Sequence, residues 1–296
     1  MRSFEGVWPA LVTPANEEGE INEDCLNALT DHLVDKRVDG LYVGGSTGEG
    51  LSQSVGQRMK LTELTMGAVR ERVPVIVHVG AVALPDARHL ARHAADLGAA
   101  GISSILPPDY ESEESLWRYY AGIAAAAPAT PLLAYILNDD RGTLRLMQRL
   151  QGLPQVAGAK YTGPDMYEFR HMVELGGERD WSMFTGMDEM CVYGVLAGAA
   201  GNIGSTLNFM PGVYREIRRL VAAGDAAGAA SLQERANAVT TILHRYGYMG
   251  AQVVALDLLG FDAGGPRLPN LPLNDDMAVS LRDELRASEF FQLCAL

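Results

Sequence analysis

The chain has 296 residues, 48% of them hydrophobic and 21% charged, which is enough apolar material for one large domain with a full core. Its 24 basic and 37 acidic side chains give a formal net charge of −13, a surface that repels phosphate backbones and anionic lipid. Nucleic acid and membrane are therefore poor partners, and no apolar run reaches the length of a bilayer span.

Short apolar runs bounded by Gly or Pro recur from the N-terminus: GVWPALVTP from Gly6, GLYVGG from Gly40, PVIVHVG from Pro74 and GISSILPP from Gly101. PLLAYIL from Pro131, VAGAKYT from Val156, WSMFTG from Trp181 and GNIGST from Gly201 complete the series. Stretches of helical period, such as CLNALTDHLVDKRV and LPDARHLARHAADLG, lie between them. Near-continuously apolar strands alternating with helices describe parallel strands covered on the outside. Eight units fit an α/β fold of the closed (β/α)8 TIM-barrel type over residues 1–224. Residues 225–296 carry no strand signal and read as a C-terminal helical extension packed on the barrel. Its three helical runs are AAGAASLQERANAVTTILHRYG, MGAQVVALDLLG and DMAVSLRDELRAS, with the Pro/Gly-rich FDAGGPRLPNLPLN before the last.

The start of the chain, MRSFEGVWPA, lacks the layout of a secretory signal. Cys25, Cys191 and Cys294 show no metal-ligand or redox spacing, so a reducing, cytoplasmic setting is expected. Of the 24 basic residues only Lys36, Lys60 and Lys160 are lysine. Lys36 and Lys60 fall in helical stretches and read as solvated. Lys160 falls near the end of the sixth strand, where barrels of this kind place reactive groups.

Alternation along that strand puts Val156, Gly158, Lys160 and Thr162 on one face. A buried ammonium is costly, and a neutral amine is a nucleophile toward carbonyls, a role closed to guanidinium. Lys160 either points into the barrel in that role or reaches solvent or a carboxylate at the strand end. Tyr135, on the neighbouring strand, is an amphipathic core residue or a partner to Lys160 about 5 Å away. The loop GGSTGEG, Gly44 to Gly50, offers backbone N–H groups and the hydroxyls of Ser46 and Thr47 to an anion. It also matches the G-x-S-x-G elbow of serine hydrolases, but His78 is the one strand histidine and precedes any acid in the required order. His89 and His93 at i, i+4 lack further ligands and read as a solvated helix face. Asp188 and Glu189 stand at the barrel mouth as acceptors for hydroxyls, or as a helix N-terminal pair. Ser205 completes the ring or caps a helix.

Together, GLYVGGSTGEG, the tyrosine of PLLAYIL, AGAKYT, TGMDE, LAGAAGNIGSTLN and GGPRLPNLPL resemble the N-acetylneuraminate lyase and dihydrodipicolinate synthase superfamily of pyruvate-handling class I aldolases. They occur in family order over essentially the whole chain. The resemblance implies a Schiff base between Lys160 and the 2-keto carbon of pyruvate, with Tyr135 as proton shuttle. It implies Ser46 and Thr47 on the pyruvate carboxylate and Tyr110 in the proton relay, reaching across a subunit interface in some members. It leans to the neuraminate lyase branch, where Thr162, Gly186, Asp188, Glu189 and Ser205 line the sugar-derived side. No metal or organic cofactor is implied, and the usual assembly is a homotetramer built as a dimer of dimers. Dihydrodipicolinate synthases usually carry Arg five residues after the catalytic Tyr; here Asp140 stands there, with Arg141 next to it. Ile136-Leu137-Asn138 and Asp109 also depart from the family pattern. A 2-keto-3-deoxy sugar acid aldolase or dehydratase would share the same core. The non-enzymatic alternative is a small-molecule-binding barrel.

Overall fold

The structure is a computed structural model that describes residues 4–16, 18–107, 110, 112–137 and 142–296. Eight strands form one parallel sheet: β1 (Gly6–Pro9), β2 (Leu41–Val43), β3 (Val75–His78), β4 (Gly101–Ile105), β5 (Leu132–Leu137), β6 (Val156–Thr162), β7 (Ser182–Thr185) and β8 (Gly201–Gly204). Each coincides with one of the apolar runs of the sequence. Helices α1 (Glu23–Asp35), α2 (Val55–Val69), α3 (Leu84–Asp96) and α4 (Glu113–Ala126) cover the first half. The second half is covered by α5 (Thr143–Leu150), α6 (Met166–Gly177), α7 (Cys191–Leu196) and α8 (Pro211–Ala222). β1 pairs with β8, and an Ala10–Tyr42 bridge with a 2.8 Å Leu11 N–H to Tyr42 carbonyl bond closes the barrel between β1 and β2.

The strand side chains divide by face. Outward-facing Val77, Ile102, Ala134, Ala159 and Tyr161 join the apolar layer beneath the helices. Inward-facing Phe4, Trp8, Tyr42, Ile76, Leu133, Phe184 and Ile203 form a separate interior cluster. Trp8 meets Phe4 and Phe184 edge-on, with centroids 5.6 and 6.0 Å apart, and fills the floor. The barrel is thus a packed core below and a polar site above.

Beyond residue 224 come α9 (Ala226–Arg245), α10 (Tyr248–Asp257) and α11 (Asp275–Ala287), near the three helical runs of the sequence, and a short α12 (Phe290–Ala295) that periodicity missed. Lys36, expected to be solvated, instead donates to the carbonyls of Cys294 and Ala295 at 2.8 and 3.2 Å. Lys60 pairs with Glu23 at 3.2 Å on the surface.

Strict alternation does not run the length of β6. The β5–β6 register shifts between Leu132 and Leu133, so Leu132 pairs with Val156 while Leu133 pairs with Gly158. Val156 therefore joins the outer layer, and only Gly158, Lys160 and Thr162 keep a common face. Gly158 makes the shift possible: its φ is +144°, and a Cβ there would lie 1.9 Å from the Ser182 carbonyl oxygen. Gly158→Ala should therefore lose about 3 kcal/mol or more in urea unfolding. Gly67→Ala, in open space on α2, should gain about 0.5–1 kcal/mol by the same measurement.

Candidate active site

Lys160 enters the barrel from the middle of β6 and is 4% exposed, which excludes the reading in which it reaches solvent. Its direct partner in the ladder is Tyr135. The Lys160 Nζ stands 4.0 Å from the Tyr135 ring centroid and 5.0 Å from that of Tyr42. Gly186 gives it room, because a Cβ there would lie 2.8 Å from the Lys160 Cε and 1.9 Å from the Thr162 Oγ1. Gly158, on the same face of β6, serves the strand register.

The Tyr135 hydroxyl shares a 3.2 Å hydrogen bond with the Ser46 Oγ. Burial pushes this phenol upward, but the Lys160 charge and its hydrogen bonds, the one to Ser46 among them, outweigh burial and hold it below its ordinary value. A tyrosine whose proton is held less tightly than usual, at the face of a lysine, is suited to acid/base work.

The wall behind the pair was missed by sequence reasoning. Burial, reinforced by the charges of Arg58 and Lys160, holds His78 well below the ordinary imidazole range and so neutral. Its Nδ1–H donates to the Gly44 carbonyl at 3.0 Å, and its Nε2 accepts from the Ile105 N–H at 3.1 Å. Arg58, buried on α2, donates to the carbonyls of Gly80 and His78 at 2.8 and 2.7 Å. His78 is thus a strut between loop and strand, edge-on to Tyr135 at 6.2 Å. Ser46 pairs with Tyr135, not with a histidine, which removes the hydrolase reading.

The GGSTGEG loop is fixed from both ends. The Gly48 carbonyl accepts from the Thr13 hydroxyl at 2.8 Å and the Gln53 amide at 2.7 Å. Glu49, left-handed at φ +53° and buried, accepts from the Arg267 N–H at 2.9 and 3.0 Å and the Asn270 amide at 2.9 Å. The Arg267 guanidinium lies 3.7 Å from the same carboxylate and donates to the Thr13 carbonyl at 3.0 Å. A glutamate inside a glycine-rich loop and an arginine in GGPRLPNLPL were the available signals. Ser46 is left exposed and Thr47 half-buried at the rim.

Asp188 and Glu189 lie in a 3-10 turn after β7 (Asp188–Met190). The Asp188 Oδ2 accepts from the Thr206 N–H at 2.8 Å and from the Thr206 hydroxyl at 2.7 Å, while its Oδ1 is buried without a hydrogen bond. Burial first, and the Glu189 charge second, raise this carboxyl to about 7. The Glu189 Oε1 lies 3.0 Å from His244 Nε2, and the Ser205 Oγ accepts from the Tyr248 hydroxyl at 2.7 Å. Ser205 makes no side-chain cap to the turn that follows it. Thr162 borders Lys160 at the mouth. Tyr110 lies half-buried between β4 and α4 against the apolar layer. Asp109, Asn138, Asp140 and Arg141 lie outside the described residues. His93 pairs with Glu63 at 3.0 Å, and no group of three or more metal-ligating side chains occurs among the described residues.

A lysine in the barrel interior facing a tyrosine, below a hydroxyl-bearing glycine loop, is an arrangement suited to class I aldolase chemistry. Residues 3–288 match the dihydrodipicolinate synthetase family, and the chain belongs to it: it is a carbon–carbon lyase of that type. Its relatives place it in the neuraminate lyase branch. It is 34% identical to the N-acetylneuraminate lyase of Rhizobium meliloti over 286 residues, covering 95% of this chain and 94% of that one. The mouse N-acetylneuraminate lyase is 30% identical over 300 residues, covering 98% and 94%. Among solved structures, Proteus mirabilis N-acetylneuraminate lyase superposes with a TM-score of 0.91 at 31% identity, over 98% of this chain and 100% of that one. Clostridium difficile CdNal, solved in complex with mannosamine, gives 0.92 at 29% identity over 97% and 100%.

Because the fold raises the Asp188 carboxyl from 3.8 to about 7, it favours the protonated form. That contribution is complete below about pH 4 and is lost as pH rises toward 7. The stability of the wild type relative to Asp188→Asn should fall across that interval in urea unfolding; parallel profiles would contradict it.

Proposed function

We propose that this chain cleaves N-acetylneuraminate to pyruvate and N-acetylmannosamine through a Schiff base on Lys160. The observation that carries the reading is the buried Lys160 Nζ at the face of Tyr135, with the Tyr135 hydroxyl joined to Ser46. A sialic acid aldolase from Ruminococcus gnavus, 28% identical over 97% of this chain, was solved as a catalytic lysine mutant, which supports a lysine-based mechanism here.

In this reading Ser46 and Thr47 hold the 2-keto acid carboxylate, which sets the C2 carbonyl above Lys160. The neutral amine adds to C2 and passes one proton to the carbonyl oxygen, Tyr135 supplies a second, and that oxygen leaves as water, giving an iminium and a Tyr135 phenolate. The phenolate takes the proton of the C4 hydroxyl. The C3–C4 bond then breaks, its electron pair moves into the iminium as an enamine, and C4 leaves as the aldehyde. Tyr135 returns a proton to C3, and water hydrolyses the iminium, freeing pyruvate and the Lys160 amine and giving Tyr135 back its proton. The low-lying phenol suits this traffic, since it exchanges a proton more readily than an unperturbed tyrosine. Tyr110 extends the relay. Thr162, Gly186, Asp188, Glu189 and Ser205 surround the departing sugar chain. The iminium is the electron sink, so the reaction as written uses no metal or organic cofactor.

The helices after residue 224 belong to the same catalytic unit in this reading. We also place the enzyme in the cytoplasm as a homotetramer, a dimer of dimers. The exposed Tyr167 on α6, with Tyr193 and Leu196 on α7, supports an assembly of copies.

Borohydride reduction with pyruvate, followed by peptide mass analysis, should place an adduct on Lys160. Lys160→Ala and Lys160→Arg should form no adduct and not turn over, while keeping the wild-type unfolding profile. An unmodified Lys160 in folded wild-type protein would sink the mechanism and favour a binding barrel. Tyr135→Phe should slow cleavage about 10²–10⁴-fold with much less effect on pyruvate binding. A loss confined to affinity would make Tyr135 a positioning residue only.

A further inference from the structure

The sugar side of the site is gripped from outside the barrel. His244 stands in the last turn of α9 and Tyr248 opens α10, with Gly247 turning the chain between them at φ +88°. The His244 Nε2 lies 3.0 Å from the Glu189 Oε1, and the Tyr248 hydroxyl donates to the Ser205 Oγ at 2.7 Å. The two rings lie against each other, centroids 4.9 Å apart and tilted by 35°. The same helices hold the backbone beneath. The Gln233 amide donates to the Asp188 carbonyl at 3.0 Å, and the Asn237 amide to the Glu189 carbonyl at 3.1 Å.

We infer that His244 and Tyr248 are specificity-determining positioning residues that fix the hydrogen-bonding polarity of the sugar side. Tyr248 donates into the Ser205 oxygen, so the Ser205 hydroxyl proton is turned away from it and serves as a donor to a ligand. His244 occupies the Glu189 Oε1, and the Oε2 makes no hydrogen bond among the described residues. Glu189 is then held as an acceptor. One fixed donor and one fixed acceptor beyond the reacting carbons recognise a chain carrying several hydroxyls. A short aldehyde fragment never reaches them.

The inference rests on the Lys160 Schiff-base reading, and its test separates the two. His244→Leu, His244→Gln and Tyr248→Phe are made in the full chain, each with borohydride trapping of pyruvate as one readout. Steady-state cleavage of N-acetylneuraminate and of 4-hydroxy-2-oxoglutarate, which lacks the polyol chain, is the other. His244→Leu and Tyr248→Phe should raise KM for N-acetylneuraminate about tenfold with kcat within about twofold. Pyruvate trapping and KM for the short substrate should not move, and His244→Gln, which keeps a donor toward Glu189, should recover most of the loss. Equal KM increases for both substrates, or an unchanged KM for N-acetylneuraminate alongside normal trapping, would overturn the inference alone. No trapping in the wild type would overturn the Schiff-base reading and this inference with it.

Discussion

The structure turns on keeping one cation inside a barrel. Lys160 is buried where an ammonium is costly, and no carboxylate forms an ion pair with it among the described residues. What surrounds it is the face of Tyr135, then that of Tyr42, and a phenol whose charged form it favours. Lysine and tyrosine thus supply each other's electrostatic compensation. A phenol, unlike a carboxylate already ionised, can give a proton up or take it back, which is what the proposed carbonyl-cleaving role asks of the residue beside Lys160.

That pairing makes demands on the whole barrel. Tyr135 and Lys160 meet because β5 and β6 run in register beyond the shift at Leu132/Leu133, and the shift exists because Gly158 takes a backbone conformation closed to other residues. Below, Phe4, Trp8 and Phe184 seal the floor, so the lysine has one approach, from the mouth. Beside it, neutral His78 ties the loop carrying Ser46 to β4, and Arg58 ties α2 to the end of β3. Glu49 then anchors the loop to Arg267 and Asn270, more than two hundred residues away. The buried polar groups at the mouth spend most of their hydrogen bonds on one another, which fixes the few left for a ligand.

Legibility in the sequence followed the range of the interaction. The strands were readable because apolar runs bounded by Gly and Pro are local signals, and the β5–β6 adjacency followed from their order. Lys160 stood out because the chain otherwise uses arginine. Alternation misplaced Val156, since a register shift is a property of two strands and leaves no period in one. The struts were hidden for the same reason: His78 read as a stray strand histidine, and Glu49 and Arg267 meet only in the fold. Lys36 read as a solvated helix cation because its partners are carbonyls at the far end of the chain.

The helices beyond the barrel follow from this arrangement. In the proposed reaction the strand interiors hold a carbonyl carbon against Lys160, but they end before they can enclose the far end of a long substrate. The residues proposed for that end, Asp188, Glu189 and Ser205, lie on short connections after β7 and β8 with little regular structure of their own. Thr206 holds the Asp188 carboxylate, while from α9 and α10 His244 and Tyr248 hold the Glu189 and Ser205 side chains and Gln233 and Asn237 hold the backbone carbonyls of Asp188 and Glu189. In that reading bond cleavage and substrate choice rest on separate parts of one chain. Changes in α9 and α10 can retune the acceptor side while the register that places Lys160 at Tyr135 stays intact.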